Sequence, residues 1–298
     1  MALNLDVGVA TRNFRHFINE DNYFLPRESN NGFVAEYLRF VDFLNREAPK
    51  EEKERVEQVK EDRFFFKDKE HPVMIYRESV PFEKTDFGTE NRLFVVCDGV
   101  TNSYCSPICT TEAIERLFSR FYNGNTAPVD LDEMLQNIDK EILELGKWYG
   151  KTVEIGEKLF RSTAVMTLAL IQQGRLLVKH VGDTKLFLLR DGLEKITEDQ
   201  PLGVRPDTYI GHGEIKPVTY EKDLQSGDLV LICTDGITDP YKDIFSDSGF
   251  DFNPMLNLLD TRKSAQEICD GLVECSADSY KRKMSVGDDA TAIVIKYQ

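Results

Sequence analysis

Hydrophobic and polar positions fall into blocks along this chain, and the blocks predict a protein of mixed strands and helices. Residues 93–97 and 229–233 form two apolar runs without a charge, which is typical of buried strands. Each run is followed directly by Asp-Gly, a pair that marks turns. Further strands are predicted near the start of the chain, as a pair around a turn within the first 24 residues, and at 64–66, 73–76, 164–171, 176–181, 185–189 and 290–295.

Longer segments place apolar residues at the spacing of one helix face. This period predicts helices over residues 32–46, 110–122, 131–149 and 263–281. A highly charged run at 50–63 is interpreted as a solvated helix. Because no repeat, low-complexity tract or Gly/Ser linker divides the sequence, we expect one domain over residues 1–298, with an insert at about residues 25–90.

Composition narrows the function classes. Lys and Arg number 37 and Asp and Glu 52, and the net charge of −15 argues against non-specific nucleic-acid binding. The longest uncharged stretches, such as 162–174, are about a dozen residues, shorter than the ~20 that span a bilayer. The first six residues lack the pattern of a secretory signal. We therefore expect a cytoplasmic monomer with neither nucleic acid nor membrane as partner.

Cysteine and histidine offer little for catalysis or zinc binding. The six cysteines form no Cys-x-x-Cys, and the four histidines form no His-x-x-x-His. Buried, reduced thiols are expected rather than disulfides or a zinc site. Any metal in this chain would be a hard cation bound by oxygen.

Aspartates recur at the ends of the predicted strands. Asp98 and Asp235 each follow an apolar run, Asp183 lies in a Gly-Asp turn, and Asp288 lies where the last strand begins. If these ends meet, two carboxylates ~4 Å apart repel by about 4 kcal/mol at an effective dielectric of 20. Divalent cations would relieve that repulsion, and a set of oxygen ligands favours Mg²⁺ or Mn²⁺. A single Asp-Gly is more typical of a plain turn, and the two pairs taken together leave the turn and the metal site both open on spacing alone.

Six short blocks then follow one another in an order known from one family. They are residues 6–8 with 19–21, 94–99, 162–164 with 181–184 and 190–192, 197–199, 227–229 with 234–236, and 288–291. On these blocks the sequence resembles the metal-dependent protein phosphatases, the protein phosphatase 2C or PPM family. The resemblance implies an α/β (α+β) sandwich of two central antiparallel β-sheets flanked by helices, with a metal centre between the sheets at one end.

Carried over by position, the resemblance also implies roles for individual residues. Asp98 would bridge two Mg²⁺ or Mn²⁺ ions, and the carbonyl of Gly99 would bind one of them. Asp235 and Asp288 would complete the direct ligands. Glu20 and Asp21 would act mainly through metal-bound water. Asp183 would belong, together with Asp235, to a third, looser metal site.

Two departures from the family pattern concern the substrate. Val100 stands where some members carry a histidine that is proposed as a general acid. His16 occupies the usual position of the phosphate-binding arginine, so Arg15 is the first candidate for that catalytic role, Arg12 the second and His16 itself the third.

The activity implied by the resemblance is hydrolysis of phosphoserine or phosphothreonine in a protein substrate, by a water that bridges two ions. The retained Asp98, Asp183, Asp235 and Asp288 favour an active enzyme over a pseudophosphatase that only binds. A hydrolase of a small phosphorylated molecule also stays open, because a metal centre of this kind recognises only the phosphoryl group.

Overall fold

The computed structural model describes residues 5–12, 21–26, 82–84, 91–100, 103, 106–123, 130–152, 163–200, 206–241, 253–283 and 288–298. The strands of these ranges are β1 (Leu5–Arg12), β2 (Asn22–Pro26), β3 (Phe82–Lys84), β4 (Asn91–Gly99), β5 (Ala164–Gln172), β6 (Arg175–Val181), β7 (Lys185–Leu189), β8 (Leu193–Lys195), β9 (Val218–Asp223), β10 (Leu229–Cys233) and β11 (Ala290–Tyr297). The helices are α1 (Ser106–Asn123), α2 (Leu131–Thr152), α3 (Asp235–Thr238), α4 (Asn253–Leu256) and α5 (Ala265–Lys283), with 3₁₀ turns at Pro206–Thr208 and Asp239–Tyr241.

The strands form two sheets. Sheet 1 has the order β1-β11-β10-β7-β8, and sheet 2 has the order β3-β2-β4-β5-β6-β9. Every neighbouring pair of these strands is antiparallel except β2 with β3, which is parallel. The predicted fold class, two central antiparallel sheets flanked by helices, is confirmed.

The alternating direction of side chains along the central strands explains how the sheets and helices are layered. In β4, Phe94 and Val96 face the core between the sheets, whereas Leu93 and Val95 pack with α1 and α2. In β10, Val230 faces the same inter-sheet core, and its neighbours pack with α5. Because both faces of these strands are buried, successive positions are apolar and the sequence of each strand is a continuous apolar run. The layers therefore run helix, sheet, sheet, helix.

One close contact fixes α5 on sheet 1. A Cβ on Gly8 of β1 would lie 2.3 Å from the backbone of Ala265, so only glycine allows this approach. The Asp6 carboxylate accepts the N–H of Ala265 at 3.0 Å, and the Gln266 side chain donates to the Val9 carbonyl at 2.7 Å. The first matched block, residues 6–8, therefore anchors the start of α5.

Differences from the sequence predictions lie in short or polar elements. The strands β3, β8 and β9 were not predicted, and α1 begins four residues before the predicted position, at Ser106 rather than 110. Asp235-Gly236, predicted as a turn, begins the helical turn α3. The predicted elements at 32–46, 50–63, 64–66 and 73–76 lie outside the described residues, and so does most of the insert; its β3 pairs with β2.

The single-domain organisation stays a prediction. No helix within the described ranges is both long and apolar enough to cross a membrane.

Candidate metal centre

Chain connections at one end of the two sheets carry the predicted aspartates. Asp98 is the penultimate residue of β4, and Asp235 follows β10 by two residues. Asp183 lies between β6 and β7, which belong to different sheets. Asp21 directly precedes β2, and Asp288 lies two residues before β11. We call these five residues the acidic end.

Electrostatic interactions link the whole set to Asp98. The pKa of the Asp98 carboxyl is raised well above its ordinary value, first by burial and then by the charges of four other carboxylates, Asp21, Asp235, Asp288 and Asp183. Like charges at short range favour the protonated form, as burial does. The structure thus brings together residues from both sheets that are up to 267 positions apart in the chain, between Asp21 and Asp288.

Asp235 lies at the centre of this arrangement. Burial raises the pKa of its carboxyl, and the charge of Asp288 raises it further. The neighbouring Asp98 carboxyl acts in the opposite direction and lowers this pKa. Its Oδ1 is buried without a hydrogen-bond partner among the described residues. A buried carboxylate oxygen is costly to leave in this state, so the atom is suited to a cation.

Gly236 allows Asp235 to approach Asp288. A Cβ at Gly236 would lie 2.0 Å from the carbonyl oxygen of Asp289 and 3.0 Å from that of Asp288. Ser276 of α5 donates to the Gly236 carbonyl at 2.6 Å and holds α3 in place. The glycine of this Asp-Gly pair is therefore needed for close packing, in addition to any turn.

Gly182 and Gln200 hold the turn that carries Asp183. Gly182 has a φ of +100°, and a Cβ there would lie 2.1 Å from the side chain of Val165. The Gln200 side chain accepts the N–H of Gly182 and the Gln200 N–H donates to the Gly182 carbonyl, both at 2.8 Å. Burial, followed by the charge of Asp235, raises the pKa of Asp183 to about 7.

Lys185 places a buried cation beside these acids, and sequence reasoning did not assign it a role. The side chain is 2% exposed, and its Nζ donates to the Asp183 carbonyl at 3.0 Å. Burial lowers the pKa of this ammonium, but the charges of Asp199, Asp235 and Asp183 outweigh it and raise the pKa. A lysine at the start of an apolar strand, two residues after the aspartate of the Gly-Asp turn, is the sequence signal that could have indicated it.

Several predicted site residues are not placed by the structure. Arg15, His16 and Glu20 lie outside the described residues. Gly99 is the buried last residue of β4, and Arg12 is the last residue of β1.

The donor chemistry of the acidic end fits a hard cation. All five members offer carboxylate oxygens, and the nearby thiols of Cys97 and Cys233 have pKa values raised by burial, which keeps them protonated. Among the residues that the structure describes, no group of three or more His, Cys, Asp or Glu side chains forms a ready-made metal-ion site. The fit therefore depends on the buried oxygens and on their mutual repulsion, which a divalent cation would relieve.

Comparison with known proteins agrees with the fold. The family model described as Stage II sporulation protein E (SpoIIE) matches residues 127–298. The serine/threonine protein phosphatase PstP of Mycobacterium tuberculosis is 25% identical over 177 residues, which cover 51% of this chain and 33% of PstP. This chain thus spans about a third of the length of that relative.

Solved structures show the same architecture at low identity. The crystal structure of a point mutant of a bacterial serine phosphatase superposes with a TM-score of 0.63 at 15% identity, covering 99% of both chains. The catalytic domain of PstP in complex with two manganese ions superposes with a TM-score of 0.56 at 17% identity, covering 98% of this chain and 99% of that one.

The match over more than half of the chain defines the class of protein. The chain belongs to the SpoIIE family, and its predicted resemblance to the PPM-type phosphatases is confirmed.

Proposed function

We propose that this protein is a metal-dependent serine/threonine phosphoprotein phosphatase that uses Mg²⁺ or Mn²⁺ at the acidic end. The observation that carries the proposal is that four other carboxylates from both sheets act on Asp98; they are Asp21, Asp183, Asp235 and Asp288. The names of the relatives support the choice of reaction, and the manganese complex of the PstP catalytic domain supports the choice of ion.

Two divalent ions bound at such a site supply a water of lowered pKa and bind the phosphate oxygens for in-line attack. The chain's own residues would hold and orient these components. Asp98 at the end of β4 in sheet 2 and Asp235, which follows β10 of sheet 1, would both hold the ions, because the two carboxyl groups lie close enough to shift each other's pKa. The buried ammonium of Lys185 would balance part of the negative charge while leaving the carboxylate oxygens free for the ions.

Finer assignments follow the matched blocks. Asp98, Asp235, Asp288 and the Gly99 carbonyl would hold the ions directly. Glu20 and Asp21 would act mainly through bound water, and Asp183 would belong to a third, weaker site. Asp183 suits the weaker role because it lies between the sheets and its pKa of about 7 leaves it partly protonated when no cation is present.

Arg15 is proposed to bind the substrate phosphate. A phosphate dianion beside five carboxylates needs a fixed cation, and a guanidinium can donate to two of its oxygens at once. Lys185, a described cation beside these acids, already donates to the Asp183 carbonyl and is buried, so it is better suited to supporting the loop than to contacting substrate.

Hydrolysis of p-nitrophenyl phosphate and of a phosphoserine peptide tests the proposal. Metal-free protein should be inactive, and Mn²⁺ should restore both reactions. Asp98→Asn should be inactive with Mn²⁺ present, whereas Asp270→Asn, the same change at an exposed position of α5, should be unaffected.

Each departure from this result has a distinct meaning. Activity that survives complete chelation would contradict the use of metal. Turnover of the aryl phosphate without turnover of phosphopeptides would favour a small phosphorylated molecule as substrate. Mn²⁺ binding without either reaction would favour a pseudophosphatase.

A further inference from the structure

A hydrogen bond between the two sheets holds one member of the acidic end. Asp21 precedes β2 of sheet 2 and is 3% exposed, whereas Thr234 follows β10 of sheet 1 and is fully buried. The Thr234 hydroxyl donates to Asp21 Oδ2 at 2.9 Å, across 213 residues of sequence. Asp21 is thus held by a residue of the opposite sheet, next to Asp235 in the chain.

The backbone of sheet 1 fixes the direction of this hydroxyl. Beyond the last paired residues of β10 and β11, the Thr234 N–H donates to the Thr291 carbonyl at 3.0 Å. The Thr291 N–H in turn donates to Thr234 Oγ1, also at 3.0 Å. Because an N–H donor occupies one side of the oxygen, the single hydroxyl hydrogen points elsewhere. The alternative acceptor, the Asp289 carbonyl, is 3.4 Å away, so Asp21 is the better acceptor.

A second threonine of sheet 1 lies beside the same carboxylate. Against the effect of burial, the Thr291 hydroxyl lowers the pKa of Asp21, and it is 2.7 Å from the Thr11 hydroxyl of β1. Thr234, which follows β10, and Thr291 of β11 therefore both act on a carboxylate that precedes a strand of the opposite sheet. The hydrogen bond from Thr234 restricts the rotation of the Asp21 side chain.

We propose that Thr234 is a positioning residue that orients the Asp21 carboxylate toward the divalent ions of the acidic end. This inference rests on the proposed function. It goes beyond that function because Thr234 supplies no ligand and acts only through Asp21. Removing partners that orient a ligand typically weakens metal affinity about 10- to 100-fold, whereas a role in sheet packing alone would lower stability without that loss.

Calorimetric titration of Mn²⁺ into the metal-free full chain tests the proposal without relying on turnover. Thr234→Val keeps the shape of the side chain and removes the hydroxyl, and we expect affinity to fall at least about tenfold. Thr234→Ser restores the hydroxyl and should bind within about threefold of the wild type. The matched control is Thr197→Val, which removes another buried threonine hydroxyl, the acceptor of the Leu186 N–H at 3.0 Å; its affinity should be unchanged.

A double-mutant cycle tests whether Thr234 affects Mn²⁺ binding through Asp21. In an Asp21→Ala background, the further change Thr234→Val should weaken Mn²⁺ binding no more, because the group that it orients is gone. An undiminished tenfold loss in that background would overturn the role assigned to Thr234.

Failure of this inference differs from failure of the proposed function. If the wild type binds Mn²⁺ and Thr234→Val binds it equally well, the positioning role is overturned and the proposed function stands. If Thr197→Val loses affinity as Thr234→Val does, the loss comes from destabilisation and the positioning role is likewise overturned. A wild-type protein that binds no Mn²⁺ would overturn both.

Discussion

Two regions of this protein surround aspartate with opposite kinds of neighbours. On α2, the fully buried Asp139 accepts three backbone N–H groups, from Gly211 at 2.6 Å and from His212 and Ile215 at 3.0 Å. At the acidic end, Asp98 instead faces other carboxylates, and burial and their charges raise its pKa. A carboxylate with three donors is satisfied by the protein itself. A group of carboxylates that repel one another needs cations from outside, which is why we assign structure to the first region and function to the second.

The largest expected effect is the loss of activity in Asp98→Asn. Removing the carboxylate on which the others converge should lower kcat by about a thousandfold or more, since bound ions contribute several kcal/mol to transition-state stabilisation. The metal-free variant should unfold at a higher temperature than the wild type, because one like charge has left the cluster. Steady-state kinetics with saturating Mn²⁺ and thermal unfolding in chelator measure the two effects. Near wild-type turnover by Asp98→Asn would show that Asp98 is not a metal ligand.

The metal-free protein should lose stability as the pH rises from about 4 to about 7. Burial and Asp235 raise the pKa of Asp183 from 3.8 to about 7, so in this window the folded state holds a proton that the unfolded chain has released. Deprotonation then costs the folded state, and the free energy of unfolding falls with rising pH. Unfolding temperatures in chelator should show this decline, and Mn²⁺ should reverse it near neutral pH. A metal-free protein that is most stable at pH 7 would contradict the raised pKa.

The variant Asp139→Ala tests whether the buried Asp139 contributes to stability alone. It leaves three backbone N–H groups, two of them in buried residues, without their acceptor, which we expect to cost about 3 kcal/mol of unfolding free energy. Urea unfolding measures the loss. The folded variant should bind Mn²⁺ with unchanged affinity, and a change in affinity without loss of stability would place Asp139 in the site.

The smallest effect is expected between α1 and α2. Glu141 is 39% exposed, and it pairs with Arg116 at 2.7 Å and with Arg120. Burial alone would raise the pKa of Glu141, but the hydrogen bonds from Arg120 and Arg116 lower it. Because water screens exposed pairs, Glu141→Gln should cost less than about 1 kcal/mol in urea unfolding and leave Mn²⁺ binding unchanged. A larger loss would show that paired surface acids contribute as much as the buried ones.

Much of the framework could be predicted from local pattern. The strand at 229–233 has the predicted bounds, because burial on both faces produces a continuous apolar run. The strand β9 was missed since only its alternation of half-buried and exposed residues indicates an edge strand, and its composition is polar. Likewise, β3 and β8 have three residues each, too few for a period to be recognised.

In the candidate site, too, some residues could be predicted from local pattern and others depend on tertiary contacts. Asp98 and Asp235 could be found because each follows an apolar strand and precedes glycine. Thr234 could not, because its role depends on a contact between the two sheets, which no local pattern encodes. Lys185 carries a local signal, its position near the Gly-Asp turn, but only the structure shows that its side chain is buried beside the acids. Gly236 was assigned to a turn, whereas its close approach to Asp289 depends on tertiary packing.

The most direct test of the central claim is the number of Mn²⁺ ions that the protein binds at equilibrium, compared between the wild type and Asp98→Asn. Our account predicts that the wild type binds at least two ions, and that Asp98→Asn loses the tight sites while remaining folded by circular dichroism. Equal, tight Mn²⁺ binding by both proteins, or none by the wild type, would contradict the assignment of the acidic end as a metal centre.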